Sequence, residues 1–284
     1  MRMNNVKEKT MHVIFAVAAS MSIISVFMIC LFMFANGLPA IREIGLIDLL
    51  FGKIWKPNEN QFGIFPMIVG SIYVTGGAII VGVPIGLLTA VYMAKFCPPK
   101  LYKFMKPAVD LLVGIPSIVY GFFGLMVIVP IMQNTVGGSG KGILTASILL
   151  GIMILPTIIN VAEANIRAVH GSYYEGALAL GDTHERAVFK VVLPAAKSGV
   201  LAGIILGIGR AIGETMAVIM IAGNQPVVPD SFISGVRTLT ANIVLEMGYA
   251  ADLHRSALIA TGVVLFVFIL LINLLFSVVK KKGA

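Results

Sequence analysis

Arg210 and Glu214 are two opposite charges in an otherwise apolar stretch of the sequence, GRAIGETMAV. A charge near the centre of a membrane costs at least about 2.5–3.5 kcal/mol on insertion scales, so an embedded Arg210 must be paired or must face water. Its planar guanidinium presents a fixed fork of donors that suits an oxyanion. The pair therefore fits either contact with an anion that crosses the membrane or a bridge that only locks helices together.

Three glycines, Gly199, Gly203 and Gly207, recur every four residues before this pair. At about 100° per residue, a continuous helix places the glycines, Arg210 and Glu214 within an arc of about 80°. A stripe of small residues lets another helix approach closely. The spacing predicts a helix that packs through its glycines and carries Glu214 one turn beyond Arg210, as its counter-charge when no anion is bound.

Composition places this helix in a membrane. Of the 284 residues, 58% are hydrophobic and 12% are charged, whereas about 25% are charged in a typical soluble protein. An apolar run of about 20 residues is long enough to span a membrane as a helix. The six such runs are 13–34, 68–94, 107–132, 143–169, 200–222 and 256–279. The sequence therefore excludes a soluble domain and predicts an all-α membrane protein with six transmembrane helices in one domain, 13–279.

The basic residues are sorted by loop, which explains the net charge of +8 better than nucleic-acid binding does. One group is Arg2, Lys7, Lys9, Lys95, Lys100, Lys103, Lys106, Arg167, Arg186, Lys190, Lys197, Lys280, Lys281 and Lys282. A smaller group is Arg42, Lys53, Lys56, Lys141, Arg237 and Arg255. The larger group marks the cytoplasmic side. We therefore expect the N-terminus (1–12), the segment 170–198 and the basic tail (280–284) to be cytoplasmic, and loops 36–66 and 223–255 to lie outside.

The segment 170–198 has the pattern of two short helices joined by a tight turn. Two polar residues each precede a glutamate by three positions, which predicts two helix N-caps. The pairs are Ser172 with Glu175 and Asp182 with Glu185. Gly181 stands where the first helix needs a left-handed residue to end, and Pro194 cannot continue the second helix. The segment is therefore predicted to be helix, turn, helix and stop.

This segment, YEGALALGDTHERAVFKVVLPA, resembles the EAA loop of bacterial ABC-importer permeases, whose pattern is E-A-A, three residues, G, nine residues, I-x-L-P. The matching residues are Glu175, Ala177, Gly181, Leu193 and Pro194. Gly176 replaces the second-position alanine, and Val191 replaces the isoleucine. The resemblance implies a type I importer permease (MetI-like) fold and assigns the five matching residues to docking of a cytoplasmic ATPase. The alternative is that Glu175 only caps a helix.

Three longer stretches, WKPNENQFGIFPMIVGSIYVT, GRAIGETMAV and TLTANIVLEMG, resemble permeases of phosphate-specific ABC importers, of the PstC type. The resemblance implies a subunit that translocates inorganic phosphate across the bacterial cytoplasmic (inner) membrane and is not itself an enzyme. It implies four partners besides the lipid bilayer: a PstA-type permease, two ATPase subunits and an extracytoplasmic phosphate-binding protein. ATP and Mg²⁺ would bind the ATPase. In this hypothesis the Arg210 guanidinium releases the Glu214 carboxylate and binds phosphate when phosphate arrives.

Two glycine-rich stretches resemble nucleotide-binding loops but lack the required spacing. GGSGKG, at 137–142, has Gly142 where Ser or Thr belongs, and GIGRAIG, at 207–213, lies within a predicted span. Neither predicts a nucleotide site.

Three alternatives to a phosphate permease remain open. The first is a permease for another oxyanion, molybdate or sulfate. The second is an intramembrane enzyme, although no H-E-x-x-H occurs and the four histidines are scattered. The third is a sensory or scaffolding membrane protein.

Several residues in and between the spans have more than one interpretation. Trp55 fits an interfacial anchor or a contact for an outside partner, and Glu163 fits a bond to Arg167 or a lining role. Internal prolines predict interrupted helices, which often line transport paths. These prolines are Pro84, Pro116, Pro130 and Pro156. The positions of the two cysteines make a disulfide implausible.

Overall fold

The computed structural model describes the backbone of residues 2–282 and the side chains of residues 7–275. The predicted terminal segments, 1–12 and 280–284, lie partly outside the described residues. The long helices are α1 (Arg2–Ile44), α3 (Phe65–Val91), α4 (Pro99–Gly114), α7 (Ile143–Ala168), α11 (Lys197–Gly213) and α14 (Asp252–Lys282). The short helices are α2 (Leu46–Phe51), α5 (Ser117–Phe123), α6 (Val129–Thr135), α8 (Gly171–Ala179), α9 (His184–Ala187), α10 (Leu193–Ala195), α12 (Met216–Ile221) and α13 (Leu239–Glu246).

Other elements join or extend these helices. Two-residue strands β1 (Trp55–Lys56) and β2 (Gln61–Phe62) pair antiparallel around the 3₁₀ turn Pro57–Glu59. Three π-helical turns interrupt α-helical stretches, at Tyr92–Phe96, Gly124–Ile128 and Val188–Val192. The described chain is therefore an all-α protein with one small hairpin.

Within the described residues, five helical stretches are long and apolar enough to cross a membrane. They are Lys7–Ile44, Phe65–Phe96, Ser117–Thr135, Ile143–Ala168 and Asp252–Leu275. A sixth span results if His184–Ala195 and Lys197–Gly213, which meet at an angle of 72°, count as one unit. The six predicted runs are thus represented, but two of them are broken within the predicted run.

The third run, 107–132, is not one helix as predicted, because α4 ends at Gly114 and α5 begins at Ser117. Ile115 is extended, with ψ 124°, as expected for a residue directly before a proline. The fifth run, 200–222, also breaks, at Glu214 and Thr215, between α11 and α12. Only the first of these breaks coincides with a proline.

Two other prolines do not interrupt their helices. Pro84 lies inside α3 and Pro156 inside α7, and both helices continue past them. The expectation of interrupted helices was therefore wrong for these two spans. Each proline still removes one intrahelical donor.

The packed centre of the molecule is α7, which contacts α3 along one side and α11 along another. Close approach to α3 depends on Gly82, since a Cβ there would lie 2.7 Å from Ile154 Cγ1 and 2.8 Å from the carbonyl oxygen of Gly151. Buried side chains from α7, α3, α5 and α12 form the main apolar cluster. A separate apolar cluster joins the hairpin to α1, α3, α13 and α14.

Trp55 is buried, contrary to both interpretations of this residue. Its indole Nε1 donates to Glu246 Oε2 at 2.8 Å, and His254 Nε2 lies 2.9 Å from the same oxygen. Arg237 pairs with the other oxygen of Glu246. A buried carboxylate needs such partners because it has lost its water. This network ties the hairpin to α13 and α14.

Candidate functional site

The segment 170–198 folds as two short helices around a left-handed glycine. Gly181 has φ +90°, as predicted. The amide of Gly181 donates to Leu178 O at 3.0 Å, and the amide of Asp182 donates to Ala177 O at 3.1 Å. These two bonds form a Schellman motif, which satisfies the last carbonyls of α8. The turn therefore has a defined geometry that a side chain at position 181 would strain.

Neither N-cap is the predicted residue: the first lies two positions before Ser172 and the second lies one position after Asp182. His170 Nδ1, not Ser172, accepts from an amide at the start of α8, that of Ser172 itself, at 3.3 Å. Thr183 Oγ1, not Asp182, accepts from the Arg186 amide at 3.3 Å. Asp182 is displaced from the cap because its own amide closes the Schellman motif; its carboxylate pairs with Arg186 at 3.1 Å.

Aromatic contacts fix the two helices to each other and to the end of the second span. Tyr174 Oη of α8 and His184 Nδ1 of α9 are 2.6 Å apart, which joins the two sides of the turn. The Phe96 ring, in the π turn after α3, meets the His184 ring edge-on with centroids 4.7 Å apart. The loop is thus anchored to a transmembrane helix through His184.

The five residues matched to the EAA pattern do not share one environment. Ala177 is buried, Leu193 is half-buried, and Glu175, Gly181 and Pro194 are exposed. The second helix continues through Pro194 to Ala195, by way of the π turn Val188–Val192, and then bends into α11. Pro194 therefore lies two residues before the break at Ala196 and does not end the helix itself.

Exposed apolar side chains surround the turn, which the motif comparison did not predict. Leu180 is 91% exposed and stands directly before Gly181, and Leu178 and Phe189 are also exposed. Apolar side chains on a loop that carries charges are typical of a protein-binding surface. The arrangement gives the loop a hydrophobic tip.

The three predicted packing glycines all lie against α7. A Cβ at Gly199 would overlap Asn165, one at Gly203 would lie 3.1 Å from Val161 Cβ, and one at Gly207 would lie 2.8 Å from Ile158 Cγ1. Small residues here let the two helix backbones approach closely. The stripe thereby holds the first turns of α11 in register with α7.

Arg210 follows this stripe and points to α7. Its Nη1 donates to Thr157 Oγ1 at 3.3 Å, and within the described residues this is the hydrogen bond that its guanidinium makes. A guanidinium has five N–H donors, so most of them are available to another partner. The side chain is partly buried. Arg210 is therefore a cation with unused donors between two spans.

Glu214 does not continue the stripe, because α11 ends at Gly213 and Glu214 is extended, with ψ 131°. Its carboxylate Oε1 accepts from the amides of Thr215 and Ala217 at 3.1 and 3.2 Å. The carboxylate thus satisfies donors at the start of α12. Among the described residues no ion pair joins Arg210 to Glu214.

A second polar cluster surrounds Glu163, which is 3% exposed. Its carboxylate pairs with Arg167, as the helical spacing predicted, and accepts from Tyr102 Oη at 2.9 Å. Lys106 Nζ lies 3.6 Å from Glu163 and donates to Asn160 Oδ1 at 2.7 Å. Burial, followed by the bond to the carboxylate, raises the pKa of Tyr102. The cluster joins α4 to α7.

The sequence did not indicate Thr157, Tyr102 or Lys106 as partners of these charges. Thr157 is separated from Arg210 by 53 positions, and Tyr102 from Glu163 by 61. Helical spacing reveals only partners three or four residues apart on the same helix. An unpaired charge in an apolar run was the available signal that such partners exist.

Comparison with known proteins gives relatives over most of the chain. A probable ABC transporter permease protein, YqgH, of Bacillus subtilis (strain 168) is 37% identical over 260 residues, covering 88% of this chain and 84% of the relative. The phosphate transport system permease protein PstC of Mesorhizobium japonicum is 34% identical over 261 residues, covering 84% and 80%. PstC of Pasteurella multocida is 34% identical over 261 residues, covering 83% and 82%.

Solved structures show the same fold at lower identity. The inward-facing MetNI methionine ABC transporter matches with a TM-score of 0.64 at 20% identity, covering 81% of this chain and 100% of the matched chain. A bacterial alginate ABC transporter, in complex with an alginate-bound periplasmic protein, matches with a TM-score of 0.64 at 16% identity, covering 94% of each chain. These matches confirm the predicted MetI-like permease fold.

The family comparison agrees with the EAA pattern and excludes the enzyme alternative. Residues 82–282 match the family described as binding-protein-dependent transport system inner membrane component. This range contains the segment 170–198, the glycine stripe and Arg210. The family and the structural matches are transporter permeases rather than enzymes. The chain therefore belongs to the family of inner membrane components of binding-protein-dependent transport systems.

Proposed function

We propose that this chain is the permease subunit of an ATP-driven importer that moves inorganic phosphate across the cytoplasmic membrane. The observation that carries the proposal is the match to PstC permeases, at 34% identity over more than four fifths of the chain. Arg210 adds chemical support, because among the described side chains its guanidinium donates only to Thr157, and a forked donor suits a tetrahedral oxyanion. Molybdate and sulfate permeases are the alternative within the same chemistry.

The partners are proposed from the resemblance to phosphate importers and from the family. We infer a second, PstA-type permease, two ATPase subunits and an extracytoplasmic phosphate-binding protein, with ATP and Mg²⁺ bound by the ATPase subunits and no cofactor bound by this chain. One matched structure contains a periplasmic protein with its substrate, which supports a partner of that kind. The exposed tip around Leu180 supports docking of an ATPase at the loop that carries the five matched residues, Glu175 to Pro194.

Transport requires the ATPase to bind one permease conformation more tightly than the other. An ATPase with equal affinity for both conformations would not shift the equilibrium between them. In the proposed mechanism, ATPase movement reaches the spans through the loop, by way of His184 and Phe96. Arg210 holds phosphate during its passage. Glu214 limits the strength of that contact, because its carboxylate competes with phosphate for the guanidinium. A path must bind an ion well enough to admit it and weakly enough to release it. In another conformation the two side chains can pair with each other.

The orientation in the membrane is also proposed from charge. The segments 1–12, 170–198 and 280–284 carry most of the basic residues, which favours the cytoplasmic side for all three. The loops 36–66 and 223–255 then face outward, where the network around Glu246 holds them together.

We expect the complex purified with this chain to take up labelled phosphate in proteoliposomes when ATP and the phosphate-loaded binding protein are supplied. Uptake should resist excess sulfate and molybdate, because the path is selective for phosphate. The same complex without ATP is the control. Uptake that sulfate or molybdate abolishes, with little phosphate transported, would assign the chain to the other oxyanion.

Arg210→Gln should reduce phosphate uptake to background while the complex still assembles, because the neutral glutamine amide cannot replace the positive charge and paired N–H donors of the guanidinium. Arg210→Lys should restore it only in part, since a lysine is a point charge without that geometry. Uptake is measured per amount of purified complex. Arg255→Gln is the matched control and should leave uptake unchanged, because Arg255 is an exposed arginine at the end of the loop 223–255.

A purely structural arginine predicts a different result for Arg210→Gln, namely loss of the complex itself. Normal uptake with normal complex levels would leave Arg210 without a transport role. Glu214→Gln belongs in the same assay, where we expect slower turnover because the amide oxygen accepts more weakly from the amides of Thr215 and Ala217.

Gly181→Val should impair coupling, because φ +90° strongly disfavours a β-branched residue and the Schellman turn would be strained. The expected result is uptake reduced several-fold and weaker co-purification of the ATPase. Gly176→Ala is the matched control on the same loop, since a Cβ there has no atom within 4 Å. Wild-type uptake and ATPase docking in Gly181→Val would contradict the coupling role.

Cysteine labelling tests the orientation. In a background without Cys30 and Cys97, single cysteines at Asn58 and Leu180 occupy the hairpin and the exposed loop tip. An impermeant reagent added to intact cells should label Asn58→Cys and spare Leu180→Cys, because only the first faces outward. The opposite pattern would invert the topology.

A further inference from the structure

Arg210 is a long, flexible side chain, and an anion can use its donors only if the guanidinium is held toward the path. The contact that holds it is the hydrogen bond from Nη1 to Thr157 Oγ1, at 3.3 Å. We propose that Thr157 is a positioning residue for Arg210, which fixes the direction of the guanidinium for the transported oxyanion. This inference rests on the proposed function of phosphate transport.

The backbone brings Thr157 to Arg210 through the glycine contact. Gly207 of α11 lies so close to Ile158 of α7 that a Cβ would be 2.8 Å from Ile158 Cγ1. Arg210 is three residues beyond Gly207, about one helical turn, and Thr157 directly precedes Ile158. The Arg210 side chain therefore starts one turn beyond the Gly207 contact and reaches the Thr157 hydroxyl at the edge of the same helix interface.

The rest of α7 makes this hydroxyl a rigid support. Its neighbours Pro156 and Ile158 are buried, and Thr157 itself is partly buried between them. In a helix the χ1 of a threonine is divided mainly between two rotamers, and in the structure Oγ1 is directed to Arg210. When Oγ1 accepts from Arg210, one N–H of the five is used, and the other donors of the fork stay available for oxygen atoms of the substrate.

The hydroxyl is the part of Thr157 that the proposal needs. Thr157→Val keeps the branched shape and removes the acceptor, whereas Thr157→Ser keeps the acceptor and removes a methyl group. A hydrogen bond to a charged group contributes about tenfold or more to an equilibrium. Without it the guanidinium samples more rotamers, and fewer transport cycles capture the anion.

The experiment measures labelled phosphate taken up per ATP hydrolysed, in proteoliposomes that contain the whole complex and saturating loaded binding protein. This ratio does not depend on how much complex assembles. We expect Thr157→Val to lower it about tenfold while the binding protein still stimulates ATP hydrolysis. Thr157→Ser should stay close to the wild-type ratio. A packing role for Thr157 would instead lower uptake and hydrolysis together.

Two further variants sharpen the test. Thr145→Val removes another hydroxyl of α7, which donates to Gly140 O at 2.6 Å, and should leave the ratio unchanged. In the Arg210→Lys background, Thr157→Val should add little, because the guanidinium that it positions is already absent. A wild-type ratio in Thr157→Val, in a complex whose wild type transports phosphate, overturns the inference. Absence of phosphate uptake by the wild type overturns the proposed function instead.

Discussion

The close contact of α7 with α3 and α11 is the constraint on which the rest of the structure depends. Glycines on one helix face bulky side chains on the other, as Gly82 faces Ile154 and Gly207 faces Ile158. In a bilayer, where lipid is as apolar as the side chains, such shape fitting replaces the hydrophobic effect as the force that joins helices. The polar residues of α7, from Thr157 to Arg167, are thereby held toward α11 and α4.

Two buried glutamates each hold distant segments of the chain together, one at each end of the molecule. Glu163 and Glu246 are both nearly inaccessible to water, at 3% and 6% exposure, and each draws partners from distant parts of the chain. Such a carboxylate is tolerated only where several donors replace water. Glu163 joins α4 to α7 at one end of the helix, and Glu246 joins the hairpin to α13 and α14 at the other end of the fold.

The loop between the fourth and fifth spans combines a locally determined turn with a tertiary anchor. Gly181 alone sets the direction of the chain, through its left-handed conformation and the two bonds that close α8. The pairing of Tyr174 with His184, and the contact of His184 with Phe96, then fix the whole loop to α3. The exposed tip is therefore connected to a span by aromatic contacts as well as by the backbone.

The sequence by itself determined the membrane class, the approximate positions of the six spans, the left-handed turn at Gly181 and the bond between Glu163 and Arg167. All of these depend on composition or on spacings within a few residues. The tertiary structure decided what is bonded over long separations: Thr157 with Arg210, Trp55 with Glu246, and the capping role of Glu214. The physical reason is that helical periodicity assumes a continuous helix. The helix ends at Gly213, where the Glu214 carboxylate accepts backbone donors and so leaves the face that the spacing had assigned to it.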